Sequence, residues 1–153
     1  MQTGAMRSAA AVAEVRGGKE YPKIRGTVKF YSLENAILVI ADIKGLPKTR
    51  TGFFAFHIHE STSCGGEDFA ETKGHYNPNM SLHPDHAGDL PPLMRSNGNA
   101  FLAVVTDRFT PSDIVGRTVV IHSNPDDFST QPSGNAGKKI ACGVIRRAAD
   151  TVR

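Results

Sequence analysis

The sequence predicts an all-β barrel or sandwich, and three observations carry that reading. Short runs of alternating or β-branched residues recur along the chain, glycine and proline break them, and no stretch sustains a 3.6-residue apolar period with capping residues. Ile24, Val28 and Phe30 fall on one face of a run over 24–31. The run 36–43 (AILVIADI) follows, and Gly45-Leu46-Pro47 ends it. Segments 52–60, 99–107, 116–123 and 139–145 read as further strands, with 9–15 a candidate for one more. Two stretches fit no period. Residues 61–98 read as one long polar loop holding Gly65-Gly66, Pro78, Pro84 and Pro91-Pro92, and residues 123–138 as a second. Loops of that length inside a compact domain are functional or disordered.

A chain of 153 residues suits one domain with one core. Residues 1–20 are assigned to an N-terminal segment, partly disordered or tag-derived, residues 21–147 to the domain, and 148–153 to a tail. The net charge of +3 is scattered, with Lys138-Lys139 and Arg146-Arg147 the tightest pairs. That is no nucleic-acid footprint, which needs a dense basic stripe with interleaved aromatics. No run approaches the ~18 apolar residues of a membrane helix. The first residues lack a basic stretch followed by an apolar one, so no signal peptide is expected. The two cysteines, Cys64 and Cys142, form no CxxC motif, and spacing alone leaves open a disulfide or two buried thiols.

The chemistry lies in six histidines. His57 and His59 stand at i and i+2 on a predicted strand, so they share one face while Phe54, Phe56 and Ile58 take the core face. Two imidazoles so placed can bind one ion. A lone HxH pair is more often plain exposed surface. His83, His86 and Asp89 follow at intervals of three in a loop able to curl around an ion, and imidazole with carboxylate suits zinc. His75 lies between the two groups. His122 ends a strand, on the face opposite Val119 and Ile121. Imidazole ligates copper and zinc alike.

These residues, with the motifs GFFAFHIHE at 52–60, GHYNP at 74–78, HAGDL at 86–90, GRTVVIHSNPDD at 116–127 and GNAGKKIACGVI at 134–145, resemble the Cu/Zn superoxide dismutase family. The resemblance runs from about residue 23 to 146 and implies an eight-stranded antiparallel Greek-key β-barrel, or sandwich, with two long functional loops. It assigns His57, His59, His75 and His122 to copper, and His75, His83, His86 and Asp89 to zinc, with His75 bridging as an imidazolate. Asp126 matches the aspartate that hydrogen-bonds one histidine of each metal. Cys64 and Cys142 match the family's disulfide. The implied reaction is dismutation of superoxide to dioxygen and hydrogen peroxide, with His75 delivering a proton.

The main departure is Lys139, which stands where the family usually has arginine. Lysine is a flexible point charge rather than a planar fork, so a slower enzyme is expected. The short spacing of His83 and His86, the short 127–134 loop and Ser133 look more like bacterial members. Two other readings are a copper/zinc-binding protein with little or no turnover, serving storage or delivery, and a structural module whose metal stabilises loops. No copper ligand is lost, which favours turnover. The small-molecule partner would be superoxide, with no nucleic acid or membrane, in a monomer or homodimer. A cytoplasmic location is expected, with a mature periplasmic or extracellular form as the alternative, because a disulfide and a missing signal peptide point opposite ways.

Overall fold

A computed structural model describes residues 8–148. The described chain forms eight strands: β1 (Ala11–Gly17), β2 (Arg25–Ser32), β3 (Ile37–Lys44), β4 (Phe53–His59), β5 (Asp89–Met94), β6 (Ala100–Thr106), β7 (Thr118–His122) and β8 (Lys139–Arg147). They join as one antiparallel sheet in the order β5-β4-β7-β8-β1-β2-β3-β6. The terminal strands β5 and β6 contact each other, so the sheet curls into a nearly closed barrel with Greek-key connections.

Alternation builds the core. Ala11, Ala13 and Val15 of β1, Val28 and Phe30 of β2, and Ile37, Val39, Ala41 and Ile43 of β3 point inward and are buried. Phe54, Phe56 and Ile58 of β4 meet them from across the barrel. Each valine, isoleucine and phenylalanine among them contributes about 1.5–3 kcal/mol by leaving water. β4 and β7 differ from β1–β3, because the faces that carry Val120 and the histidines are also buried. The long loops cover that outer face, and the site lies beneath them.

Two expectations need correction. The boundary at residue 21 is too late, because β1 pairs with both β2 and β8 inside the barrel. The loop predicted over 61–98 contains β5, whose Pro91-Pro92 pair argued against a strand. β5 lies at the end of the strand order, where a missing amide donor costs no ladder bond on the open side. Residues 1–7 and most of the assigned tail lie outside the described residues.

The loop after β4 is pinned by the Cys64–Cys142 disulfide, which joins it to β8. From there it passes through a 3-10 segment, Glu67–Thr72, kinked at Asp68 and Phe69, both at positive φ. A short helix α1, Pro111–Ile114, precedes β7, and its Asp113 carboxylate accepts from the Thr110 N–H (2.8 Å). Among the described residues no helix is long and apolar enough to cross a membrane.

Candidate metal centre

Strand register sets the first group of histidines. His57 and His59 project from β4, and β7 lies beside it with His57 opposite Val120. His122 closes β7 where the β7–β8 ladder shifts register, which places it opposite Lys139. His75 enters from the loop through a bridge to His59. The four rings, all buried, each offer a nitrogen within 4.8 Å of the other three.

The second group is built by the loop. His83, His86 and Asp89 curl around the other side of His75, again with donor atoms within 4.8 Å of one another. Gly88 permits the curl, since its N–H donates to Tyr76 O (2.9 Å) and any Cβ would strike the Ile58 carbonyl. Side chains from elsewhere hold the loop's backbone. Gln131 donates to His83 O (2.8 Å) and accepts from His83 N–H (2.9 Å). Arg108 donates to Pro84 O (2.8 Å) and His86 O (3.2 Å). Arg117 donates to Glu60 O (2.8 Å) and lies 4.0 Å from the centre of the Tyr76 ring.

Hydrogen bonds fix which nitrogen of each ring is free. A carboxylate or carbonyl can only accept, so the ring nitrogen facing it carries the proton. His57 Nε2 donates to Asp126 Oδ2 (2.8 Å), and His83 Nε2 to Asp126 Oδ1 (2.8 Å). His59 Nδ1 donates to Lys73 O (2.8 Å). The free lone pairs are then Nδ1 of His57 and Nε2 of His59, while His83 Nδ1 faces the Asp89 carboxylate. Asp126 therefore ties one ring of each group to a single carboxylate. Gly134 lies against this joint, since a Cβ there would come within 2.6 Å of His83 Nε2.

The residues fit two metal ions. His57 Nδ1 and His75 Nε2 are buried without a hydrogen-bond partner, an arrangement that costs free energy unless something engages their lone pairs. His122 Nδ1 also lacks one, while its Nε2 stands 3.1 Å from His59 Nε2. Two nitrogens at that spacing suit one shared ion. In the second group, His75 Nδ1 is 2.8 Å from Asp89 Oδ1 and 3.3 Å from His86 Nδ1, and His83 Nδ1 is 3.0 Å from Asp89 Oδ2. Donors about 2.0–2.1 Å from a tetrahedral ion lie roughly 3.3 Å apart, so this cage is nearly of zinc size. Four imidazoles suit copper, and three imidazoles with a carboxylate suit zinc.

Electrostatics keep the donors ready. Burial pushes the His57, His59, His86 and His122 rings below the ordinary histidine range, His59 and His122 furthest. They are neutral near pH 7, the ligating form. Burial pushes the Asp126 and Asp89 carboxyls up. Hydrogen bonds from His57 and His83 to Asp126, and from His75 to Asp89, outweigh it, and both end below the usual carboxylate range.

The structure places His57, His59, His75 and His122 in one cluster and His75, His83, His86 and Asp89 in another, with Asp126 bonded to His57 and His83 and Lys139 opposite His122. Burial lowers the Lys139 ammonium below the usual lysine range. Lys139 is also no loose charge, because its Nζ donates to Thr72 Oγ1 (2.7 Å) and Lys73 O (2.9 Å). Sequence reasoning missed Gln131, Arg108, Arg117, Thr72 and the Lys73 carbonyl. Each acts across a long chain separation, with no local pattern to mark it.

The barrel thus carries two donor sets that meet at one histidine, each able to hold a metal ion. The family model for copper/zinc superoxide dismutase (SODC) matches residues 24–145. Superoxide dismutase [Cu-Zn] 2 of Aquifex aeolicus is 37% identical over 139 residues, covering 81% of this chain and 80% of that protein. Superoxide dismutase [Cu-Zn] of Legionella pneumophila is 36% identical, covering 82% and 80%. The crystal structure of a SOD-like protein from Bacillus subtilis superposes with a TM-score of 0.74 at 26% identity, covering 86% of this chain and 95% of that one. The chain belongs to the copper/zinc superoxide dismutase family, a family of oxidoreductases.

Proposed function

We propose that the chain dismutates superoxide, converting two superoxide anions and two protons to dioxygen and hydrogen peroxide. The observation that carries this reading is His75, the one residue common to both donor sets. Its Nδ1 faces Asp89 and His86, and its buried Nε2 has no protein partner. His57, His59, His75 and His122 would hold copper, and His75, His83, His86 and Asp89 would hold zinc. Copper held there would supply one-electron redox chemistry, whereas zinc has none. The chain supplies the rest. His75 Nε2, when its lone pair is not engaged by metal, would hold a proton and release it toward the reduced substrate. Asp126 fixes the orientation of the His57 and His83 rings. Lys139, beside His122, draws the anion toward the copper side.

Superoxide decay followed by pulse radiolysis tests the reading, on protein loaded with copper and zinc beside a His122→Ala variant. Fast decay abolished in the variant is expected. Slow decay with one copper bound per chain would favour metal binding without turnover.

A further inference from the structure

The ammonium of Lys139 sits where two elements meet. Its backbone lies on β8, opposite His122. Its Nζ reaches the end of the 3-10 segment and donates to Thr72 Oγ1 (2.7 Å) and Lys73 O (2.9 Å). The Thr72 hydroxyl is committed in one direction, because it donates to Phe69 O (2.8 Å). Its lone pairs are what remain to face the ammonium. Thr72 is fully buried, so without Lys139 those lone pairs lose their partner.

The second acceptor is equally constrained. Lys73 holds φ 60° and ψ −141°, a region that L-residues rarely adopt. Its carbonyl takes the Lys139 ammonium and also His59 Nδ1–H (2.8 Å). One oxygen thus joins the cation to a histidine of the first donor set. The same strand grips the segment at its other end through the Cys64–Cys142 disulfide. The 3-10 segment is therefore fixed to β8 on both sides of Thr72.

We propose that Thr72 is the positioning residue for Lys139: with the Lys73 carbonyl it occupies two of the ammonium's three donors, so that the third is presented to the anionic substrate. A lysine held this way acts as a directed donor rather than a free point charge. This inference rests on the superoxide reading for the identity of the anion, but the fastening of Lys139 can be tested without it.

Three measurements on full-length protein, comparing the parent with Thr72→Val and Thr72→Ser, decide the matter. Valine keeps the volume and removes the hydroxyl, serine restores it, and Thr72→Ala serves if valine disturbs folding. In the metal-free protein the Lys139 15Nζ–H3 NMR signal, assigned by its loss in Lys139→Gln, should be visible in the parent and Thr72→Ser. It should broaden away in Thr72→Val. In the copper- and zinc-loaded protein, azide affinity at copper should fall by roughly three- to tenfold in Thr72→Val and recover in Thr72→Ser, as expected for one lost charge-assisted hydrogen bond partly replaced by water. The superoxide rate constant should follow the azide affinity, and Thr72→Val should add nothing in a Lys139→Gln background. An unchanged NMR signal and azide affinity in Thr72→Val would overturn the proposal. So would an equal loss in the Lys139→Gln background, which would make Thr72 merely structural. A loaded parent that leaves superoxide untouched would instead defeat the dismutase reading, with the NMR and azide results still judging Thr72.

Discussion

Three of the four imidazoles in the first donor set, His57, His59 and His122, stand on β4 and β7, whereas His75, His83 and His86 of the second stand on the loop between β4 and β5. The two halves are held by different forces. Ladder hydrogen bonds set the strand-borne rings, and those bonds are secured by the core beneath. The loop-borne rings depend on single contacts from Gln131 and Arg108, on the disulfide, and on Asp126. Apolar burial fixes the first half cooperatively, while a few polar clamps fix the second one residue at a time.

The largest effect is expected from the disulfide, which joins the loop to β8. It spans 78 residues of chain, and a crosslink of that length contributes about 4 kcal/mol by restricting the unfolded chain. Urea unfolding of the metal-free Cys64→Ser/Cys142→Ser variant should report a loss of that order. Its zinc affinity should fall more than its copper affinity. Equal losses would mean that the two halves are not held differently.

Asp126 joins the halves, so Asp126→Ala should weaken both metals. Removing such an outer carboxylate lowers metal affinity by about 10–100-fold. Competition with a chelator of known affinity measures it, and an effect on one metal alone would break the joint.

Lower pH should strain the metal-free protein. His57, His59, His86 and His122 sit below their unfolded value, so as pH drops the unfolded chain takes up protons first. Their contribution is present above about pH 6.5 and is lost progressively below it. The Asp89 and Asp126 contributions, from depressed carboxyls, persist until pH falls through the carboxylate range. Thermal melts should therefore fall between pH 7.5 and 5.5. Because His59 and His122 are shifted furthest, replacing either with Gln should flatten that slope more than His86→Gln does.

The smallest effect lies outside both halves. Asp113→Ala removes the acceptor for the Thr110 N–H at the start of α1 and should cost about 1 kcal/mol. Both metal affinities should stay unchanged.

The same contrast explains what the sequence disclosed. Period two placed Phe54, Phe56 and Ile58 inward and His57 and His59 together outward, because a strand's faces follow from position alone. The loop ligands were legible as residue types at suggestive intervals, but not as a cage. That cage depends on Gln131 and Arg108, which lie 48 and 22 residues from the backbone groups they hold. β5 was hidden by Pro91-Pro92, whose tolerance comes from its place at the end of the strand order. The anchoring of Lys139 was invisible too, because it rests on a buried threonine and a backbone carbonyl 67 and 66 residues away.

The most direct test is X-ray diffraction from copper- and zinc-loaded crystals, with anomalous signal recorded at both metal edges. The account predicts two ions on opposite sides of the His75 ring, copper also bound by His57, His59 and His122, and zinc by His83, His86 and Asp89. A single ion, or a His75 ring bound to only one of two ions in the oxidised protein, would contradict it.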